Sequence, residues 1–307
     1  MTTLPGLISI VVPTRDQRAL LERLLTSLAR TLDGHRVELH VVDNASEEPA
    51  TLAFLEQLPA RFASSPFEAV TVHRDEAPFN YSRLNNLGAA RARGRFLCLM
   101  NDDVEAIGTE DWLAPMLRHA HRRNVGCVGA KLLYPDGTVQ HAGIALGMDD
   151  TVAGHPCKGM PQGAPGHEGY LLRVGRVSAV TGACLLVRRQ VFEEVGGFDE
   201  RLPITWNDVD LCLRIDAAGY ANLWTPEAVL RHHESISRGT RERRDRRARR
   251  AHATATARMR QRWGSRLESD PYLPAALVVP SRAAAARSRW RATGRRRPRG
   301  LRFWPRW

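Results

Sequence analysis

The sequence predicts an α/β fold in which a mostly parallel sheet carries helices on both faces. Two observations lead to this prediction. Short, continuous apolar runs, which are typical of strands buried on both faces, alternate with stretches whose apolar residues recur at helical spacing. Because each predicted strand is followed by a predicted helix, the order of elements is typical of a parallel sheet whose strands are joined by helices.

The first strand and helix have the clearest patterns. Residues 7–12 form a short run rich in β-branched side chains, which predicts a buried strand. The leucines that follow recur at helical spacing: Leu20, Leu21, Leu24, Leu25 and Leu28. They predict an amphipathic helix over residues 17–31.

The later elements continue the alternation up to about residue 132. Strands are predicted at residues 37–42, 69–73, 95–100 and 125–132. Helices are predicted at residues 48–57, 82–93 and 110–123.

The composition is that of an ordinary globular protein. Hydrophobic residues make up 43% and charged residues 25% of the 307 residues. No apolar run approaches the roughly 18 residues that span a bilayer, which argues against a transmembrane helix. The first residues lack the basic and apolar regions of a signal peptide, so we expect a cytoplasmic protein. The five cysteines are widely spaced, which fits neither a disulfide framework nor a CxxC metal site.

Charge is distributed unevenly along the chain. Residues 231–307 hold 23 arginines, no lysine and five acids, a balance of +18, whereas residues 1–230 have a balance of −6. The net charge of +12 therefore comes from the C-terminal segment. By itself it does not indicate that the body of the protein binds nucleic acid.

Polar residues follow three of the predicted strands. Thr14 and Arg15 come after the first strand, Asp43 after the second, and Asp102 and Asp103 after the fourth. In open α/β sheets, ligands bind outside the carboxyl ends of the strands, so these side chains are expected to share one crevice. The absence of GxGxxG and GxxxxGK[ST] patterns disfavours dinucleotide and P-loop sites. Carboxylates at strand ends instead suggest a divalent cation that bridges to phosphates.

Six segments follow one another in an order and spacing that can be compared with known families. They are residues 9–15 (SIVVPTR), 41–46 (VVDNAS), 96–103 (FLCLMNDD), 179–185 (AVTGACL) leading into 195–200 (VGGFDE), 206–214 (WNDVDLCLR) and 232–235 (HHES). Together they resemble the family 2 glycosyltransferases of GT-A fold, most closely the bacterial enzymes that build O-antigen or other cell-surface polysaccharide. The resemblance implies transfer of a sugar from a UDP-, dTDP- or GDP-sugar to a hydroxyl of a saccharide or lipid-linked acceptor.

The resemblance also implies a divalent cation, Mn²⁺ or Mg²⁺, at the donor phosphates. Asp103 matches the metal ligand of the family's DXD motif, and Asn101 and Asp102 would face the ribose or metal-bound water. Asn101 stands where many relatives have Asp. His232, rather than His233, would be the second metal ligand. The alternatives are that the carboxylates cap a turn and that both histidines lie on the surface.

The nucleoside is expected to bind nearby. By resemblance, Asp43 would accept hydrogen bonds from the base or ribose, although an Asx-turn would explain the same residue. By resemblance, Pro13, Thr14 and Arg15 would line the same pocket. Arg74 and Asn85 are further candidates, although Arg74 could equally be a solvated surface charge.

The acceptor hydroxyl needs a base to take its proton, and the resemblance assigns this role to Asp208. Asn207, in place of the usual acid, can cap a helix over residues 208–218. Asp210 is the alternative base, but it can also form a helix-surface ion pair with Arg214, four residues later. A single carboxylate without a nucleophilic partner implies inversion at the anomeric carbon.

We expect a GT-A domain at residues 1–237 and a basic extension at residues 238–307, helical and then partly disordered. Arginines with Trp290, Phe303, Trp304 and Trp307 favour an anionic membrane surface as a partner, which would place the protein peripherally at the inner face of the plasma membrane. An extension without a specific partner is the alternative.

Two other function classes compete with a transferase. A nucleic-acid-binding protein would explain the arginine-rich tail only. An inactive sugar-binding module would be expected to have lost Asp103 or Asp208, and the sequence has both.

Overall fold

The computed structural model describes residues 4–63, 66–148, 151–233, 246–274 and 277. In this part of the chain a ten-stranded sheet forms the centre, and a separate pair of short strands lies outside it. No helix in the described ranges is long and apolar enough to cross a bilayer.

The strands and helices have the following bounds. The strands are β1 (Leu4–Thr14), β2 (Arg36–Asp43), β3 (Phe67–Arg74), β4 (Gly94–Met100), β5 (Val104–Ala106), β6 (Val125–Leu133), β7 (Val139–His141), β8 (Ala145–Leu146), β9 (Ala153–Gly154), β10 (Gly175–Arg176), β11 (Cys184–Arg188) and β12 (Ala221–His232). The helices are α1 (Arg18–Thr31), α2 (Pro49–Arg61), α3 (Tyr81–Arg91), α4 (Leu113–Ala120), α5 (Arg189–Glu194), α6 (Asn207–Ala217) and α7 (Arg246–Trp263). Two 3₁₀ segments lie at His167–Leu172 and Gly264–Leu267.

The strand order of the sheet is β10-β12-β6-β11-β4-β1-β2-β3. Strands β3, β2, β1 and β4 pair in parallel, as do β6 and β12. Strand β11 lies antiparallel between β4 and β6. The predicted mostly parallel α/β fold is confirmed, and the antiparallel β11 is a feature that the alternating pattern did not predict.

Two predicted helices have different lengths in the structure. Helix α2 continues to Arg61 because Leu58 and Phe62 extend its buried apolar stripe. Helix α4 begins three residues later than predicted. The reason is that the Asp111 carboxylate accepts the N–H groups of Leu113 and Ala114, which starts the helix after this residue.

Apolar cores cover both faces of the sheet. Helices α1, α2 and α4 pack on one face, where Leu21, Leu24 and Phe54 are buried. Helices α3, α5, α6 and α7 contribute to the core on the other face. Gly88 of α3 lies so close to β1 that an added Cβ would be 2.3 Å from a Val11 methyl group, which explains why α3 needs a glycine there.

A buried polar cluster occupies β1 and β2 away from their carboxyl ends. Glu38 accepts hydrogen bonds from the Ser9 hydroxyl at 2.6 Å and the Arg93 N–H at 2.6 Å. Burial acts to raise the pKa of Glu38, but hydrogen bonds from His40, Ser9 and Arg93 outweigh it and hold the pKa well below its ordinary value. The His40 ring in turn stacks on His73, with ring nitrogens 2.9 Å apart.

The first prediction concerns stability and pH. Burial, with the charges of His40 and Arg91, lowers the pKa of His73 to about 4. Between pH 6.5 and 4 the folded state therefore binds fewer protons at this site than the unfolded state. The free energy of unfolding should fall as the pH is lowered through this range, by at most about 1.4 kcal/mol per pH unit from this residue.

Urea unfolding at pH 7, 5.5 and 4.5 measures this dependence. The His73→Gln variant should show a smaller loss of stability over the same range. Identical pH slopes for the two proteins would contradict the assignment.

Candidate active site

The carboxyl ends of the parallel strands meet at one edge of the sheet, as predicted. Thr14 ends β1, Asp43 ends β2, Arg74 ends β3 and His232 ends β12. Residues 101–103 follow β4 directly. The structure therefore brings most of the expected donor-site residues to a common edge.

Asp43 is held by two kinds of partner. It is 1% exposed, and its Oδ2 accepts a hydrogen bond of 2.6 Å from Arg74 Nη1. Its Oδ1 accepts the N–H of Ser46 at 3.0 Å, which is the local turn contact that the alternative interpretation predicts. The carboxylate thus orders its own loop and holds the Arg74 guanidinium at the carboxyl edge of the sheet.

Residues 13–15 leave β1 in different directions. Pro13 and Thr14 are buried, and the Thr14 hydroxyl donates to Asp102 Oδ2 at 2.8 Å, which ties the end of β1 to the loop after β4. The Arg15 side chain is exposed and reaches Glu47 at 3.5 Å. Thr14 is therefore part of the buried framework at this edge of the sheet, whereas Arg15 lies on the surface.

Asn85 lies deeper in the protein than a residue lining an open pocket. It is fully buried in α3, where its Nδ2 donates to the Tyr81 carbonyl at 2.9 Å. Its amide oxygen has no hydrogen-bond partner among the described residues. A role for Asn85 in donor binding stays a prediction.

Asp103 and His232 face each other across the loop after β4 and the end of β12. Both are 8% exposed, and Asp103 Oδ1 lies 2.9 Å from His232 Nε2. Asn101 Nδ2 lies 3.3 Å from the same nitrogen. His233 instead places its ring 2.7 Å from Glu105. The structure therefore brings His232, and not His233, to the Asp103 carboxylate.

Gln140 determines which nitrogen of His232 carries the proton. Its carbonyl Oε1 lies 2.6 Å from His232 Nδ1, and a carbonyl oxygen can only accept, so Nδ1 is the protonated nitrogen of the neutral ring. The lone pair on Nε2 then points at the Asp103 carboxylate. A nitrogen lone pair and a carboxylate oxygen that are 2.9 Å apart repel each other unless a positive charge lies between them. That charge is either a proton on Nε2 or a metal ion.

Gln140 was missed as a site residue. It lies on the short strand β7, which pairs with β6, and the sequence alone has no feature that directs its side chain to His232.

Asp208 lies in the first turn of α6, against the segment that precedes β11. Its Oδ2 accepts the Gly182 N–H at 3.0 Å and its Oδ1 accepts the Val209 N–H at 2.8 Å. Burial raises the pKa of Asp208, opposed by hydrogen bonds from Gly182, Val209, its own N–H and Thr181. None of these groups is cationic, and a raised pKa makes the carboxylate a stronger base.

The predicted helix cap at Asn207 is wrong by one residue. Asn207 is the first residue of α6 and Trp206 is its N-cap, because the Asp210 N–H donates to the Trp206 carbonyl at 2.8 Å and extends the helix by one residue. The Asn207 side chain instead accepts the N–H of Asp208 at 2.8 Å.

Asp210 forms the expected pair with Arg214, with a distance of 2.8 Å, but the pair does not lie on the helix surface. Asp210 is fully buried because α7 covers it. The sequence indicated the pair but not the burial, which depends on how residues 246–263 pack.

Tyr81 lies near both Asp103 and Asp208. Its hydroxyl donates to the Gly182 carbonyl at 2.8 Å. Burial raises its pKa, and the charges of Asp208 and Asp103 raise it further. Both carboxylates therefore lie within electrostatic range of one phenol.

The arrangement can be compared with known proteins. The family model for glycosyl transferase family 2 matches residues 9–196, and that for glycosyl transferase family group 2 matches residues 170–284. The O-antigen biosynthesis protein RfbC of Myxococcus xanthus is 40% identical over 233 residues, which are 75% of this chain and 18% of RfbC. The chain spans less than half the length of the curated relatives that it matches along most of its own length.

Two solved structures are similar in fold. One is GalNAc-T7 with UDP, GalNAc and Mn²⁺, with a TM-score of 0.59 and 21% identity over 74% of this chain and 43% of that chain. The other is the mannosyltransferase PcManGT from Pyrobaculum calidifontis in complex with GDP-Man and Mn²⁺, with a TM-score of 0.57 and 18% identity over 93% of this chain and 79% of that chain. The fold is that of the GT-A glycosyltransferases. With a family model that covers more than half of the chain, this protein belongs to the family 2 glycosyltransferases.

Proposed function

We propose that this glycosyltransferase moves a sugar from a nucleoside diphosphate donor to a hydroxyl of a saccharide or lipid-linked acceptor during cell-surface polysaccharide synthesis, with inversion. The observation that carries the proposal is that two sets of side chains lie next to each other, one after the end of β4 and one beside the segment that precedes β11. Asp103 and His232 lie 2.9 Å apart at the strand ends, and Asp208 is a partly buried carboxylate with no cationic partner among the described residues. The likeness to RfbC supports the polysaccharide context.

The donor end fits a divalent cation and a nucleotide. Carboxylate oxygen and imidazole nitrogen are ligands that Mn²⁺ accepts, and Gln140 presents the Nε2 lone pair of His232. Within the described residues no three His, Cys, Asp or Glu side chains form a metal cluster, so substrate phosphates or water would have to complete the coordination of an ion held by Asp103 and His232. Both similar structures contain Mn²⁺ with a nucleotide or nucleotide sugar. When bound, the ion would neutralise the charge that develops on the departing diphosphate.

The nucleoside is expected beside Asp43 and Arg74. Asp43 fixes the Arg74 guanidinium at 2.6 Å, so the arginine is held at the rim where a base or ribose would lie. The hydrogen bond from Thr14 to Asp102 fixes the end of β1 relative to the loop that contains Asp103.

The part of the site around Asp208 would bind the acceptor and take a proton from it. Asp208 would take the proton from the acceptor hydroxyl as the oxygen attacks the anomeric carbon. Backbone N–H groups of Gly182 and Val209 orient the carboxylate without neutralising it. A single base and no placed nucleophile favour one in-line displacement, and therefore an inverted anomeric configuration.

The second prediction concerns the metal. Mn²⁺ together with UDP, GDP or dTDP should raise the Tm of the wild-type protein. Asp103→Asn and His232→Gln should each abolish the Mn²⁺-dependent part of this shift, whereas His233→Gln, whose ring contacts Glu105, should keep it. Full transfer activity in excess EDTA would contradict the assignment.

The third prediction concerns the base. Asp208→Asn keeps the shape of the side chain but cannot take a proton, so kcat should fall by about 10²–10⁴-fold. The nucleotide-dependent rise in Tm should be unchanged, and the exposed-turn variant Asp136→Asn should have wild-type kcat. Steady-state kinetics and NMR of the product test the scheme. Near-normal turnover of Asp208→Asn, or a retained anomeric configuration, would refute it.

The fourth prediction concerns a membrane surface. Helix α7 carries seven arginines and no acid, and most of them are exposed. Residues 281–307, with their arginines and tryptophans, lie outside the described residues. The full chain should sediment with vesicles that contain anionic lipid, and a chain ending at residue 280 should sediment less. Equal binding by both chains, or equal binding to neutral vesicles, would contradict this partner.

A further inference from the structure

Helix α7 contacts the start of α6, the helix that carries Asp208. His252 and Thr256 contact Trp206, and Trp263 contacts Asp210. The arginine-rich segment is therefore attached to the start of the helix that carries the proposed base, at its N-cap and in its first turn.

The two strongest attachments lie on either side of Asp208. Two residues before it, the Trp206 indole N–H donates to the Thr256 hydroxyl at 3.0 Å, and the Trp206 ring lies 5.6 Å from the His252 ring. Two residues after it, the fully buried Asp210 accepts the Trp263 indole N–H at 3.0 Å. Arg262 Nη1 adds a further contact to Asp210 at 3.2 Å.

The backbone at Trp206 shows why such an attachment is needed. Its φ of 65° lies in the left-handed region, which a residue with a large side chain adopts only when its surroundings hold it there. This turn sets the direction in which α6 begins. It therefore sets the direction from which the Asp208 carboxylate meets the Gly182 N–H.

We propose that α7 is a positioning element of the transferase, in which Thr256 and Trp263 hold the residues on both sides of Asp208 and so aim its carboxylate at the acceptor. The inference rests on the proposed role of Asp208 as base. It makes residues 246–263 part of the catalytic unit and gives this part of the basic segment a role that needs no external partner.

The contacts are suited to a positioning role because they are directed and polar. Only Ala255 and Met259 of α7 are buried, so most of the helix contributes little to the core. Removing one hydrogen bond to α6 should leave the packing of Met259 intact. The effect on Asp208 can therefore be separated from an effect on folding.

The test compares matched variants of the full chain. Thr256→Val removes the hydroxyl at nearly constant volume, Thr256→Ser restores it, and Trp263→Phe removes the second indole N–H. Arg260→Gln, on the exposed side of α7, is the control. The readouts are kcat, the donor KM, the nucleotide-dependent rise in Tm, and hydrogen exchange of the peptide covering residues 205–213.

Thr256→Val and Trp263→Phe should each lower kcat about tenfold, because a displaced base loses its alignment with the acceptor. Donor KM and the nucleotide-dependent Tm shift should not change, and exchange at 205–213 should be faster. Thr256→Ser and Arg260→Gln should behave as the wild type.

Wild-type kcat and exchange in both variants would overturn the proposal. So would a parallel fall of kcat, donor binding and Tm, since that pattern indicates a merely structural role. Hydrogen exchange does not depend on turnover. It therefore tests whether α7 holds residues 205–213 even when no donor is known. Absence of sugar transfer by the wild type would count instead against the proposed function.

Discussion

The antiparallel pairing of β11 with β4 is the constraint on which the site depends. Cys184 pairs with Met100, so the start of β11 lies beside the end of β4. The Asn101 N–H donates to the Ala183 carbonyl at 3.1 Å and extends this pairing past the strands. The loop that contains Asp103 and the Gly182 N–H that orients Asp208 therefore lie next to each other. A fully parallel sheet would send the start of this strand to the opposite edge.

The carboxylates of the candidate site differ in whether a basic side chain faces them, and this difference matches their proposed roles. Asp43 faces Arg74, and Asp103 faces His232, whose proton is placed by Gln140. Asp208 has hydrogen bonds from backbone N–H groups and Thr181 but no cation among the groups that shift its pKa. A carboxylate that is oriented but not neutralised keeps its ability to take a proton, whereas a paired one is suited to binding.

The sequence predicted what depends on local pattern. The leucines of α1 and the apolar runs of the parallel strands were enough for the fold class, and polar residues after β1, β2 and β4 were enough for the edge that carries the site. The parts that were missed depend on contacts between distant segments. The insertion of β11, the reach of Gln140 to His232 and the burial of Asp210 under α7 leave no periodic signal in the chain. The left-handed Trp206 shifted the start of α6 by one residue, because a tertiary contact holds a conformation that local propensity disfavours.

Crystals grown with Mn²⁺ and the nucleoside diphosphate that raises the Tm most would test the central claim directly. Anomalous diffraction at the manganese edge would locate the ion, and the electron density would locate the nucleotide. The account predicts manganese bound by Asp103 and His232 Nε2, with the base and ribose beside Asp43 and Arg74 and with Asp208 facing the open side of the diphosphate. Manganese bound to other side chains, or a nucleotide that occupies the Asp208 side of the crevice, would contradict it.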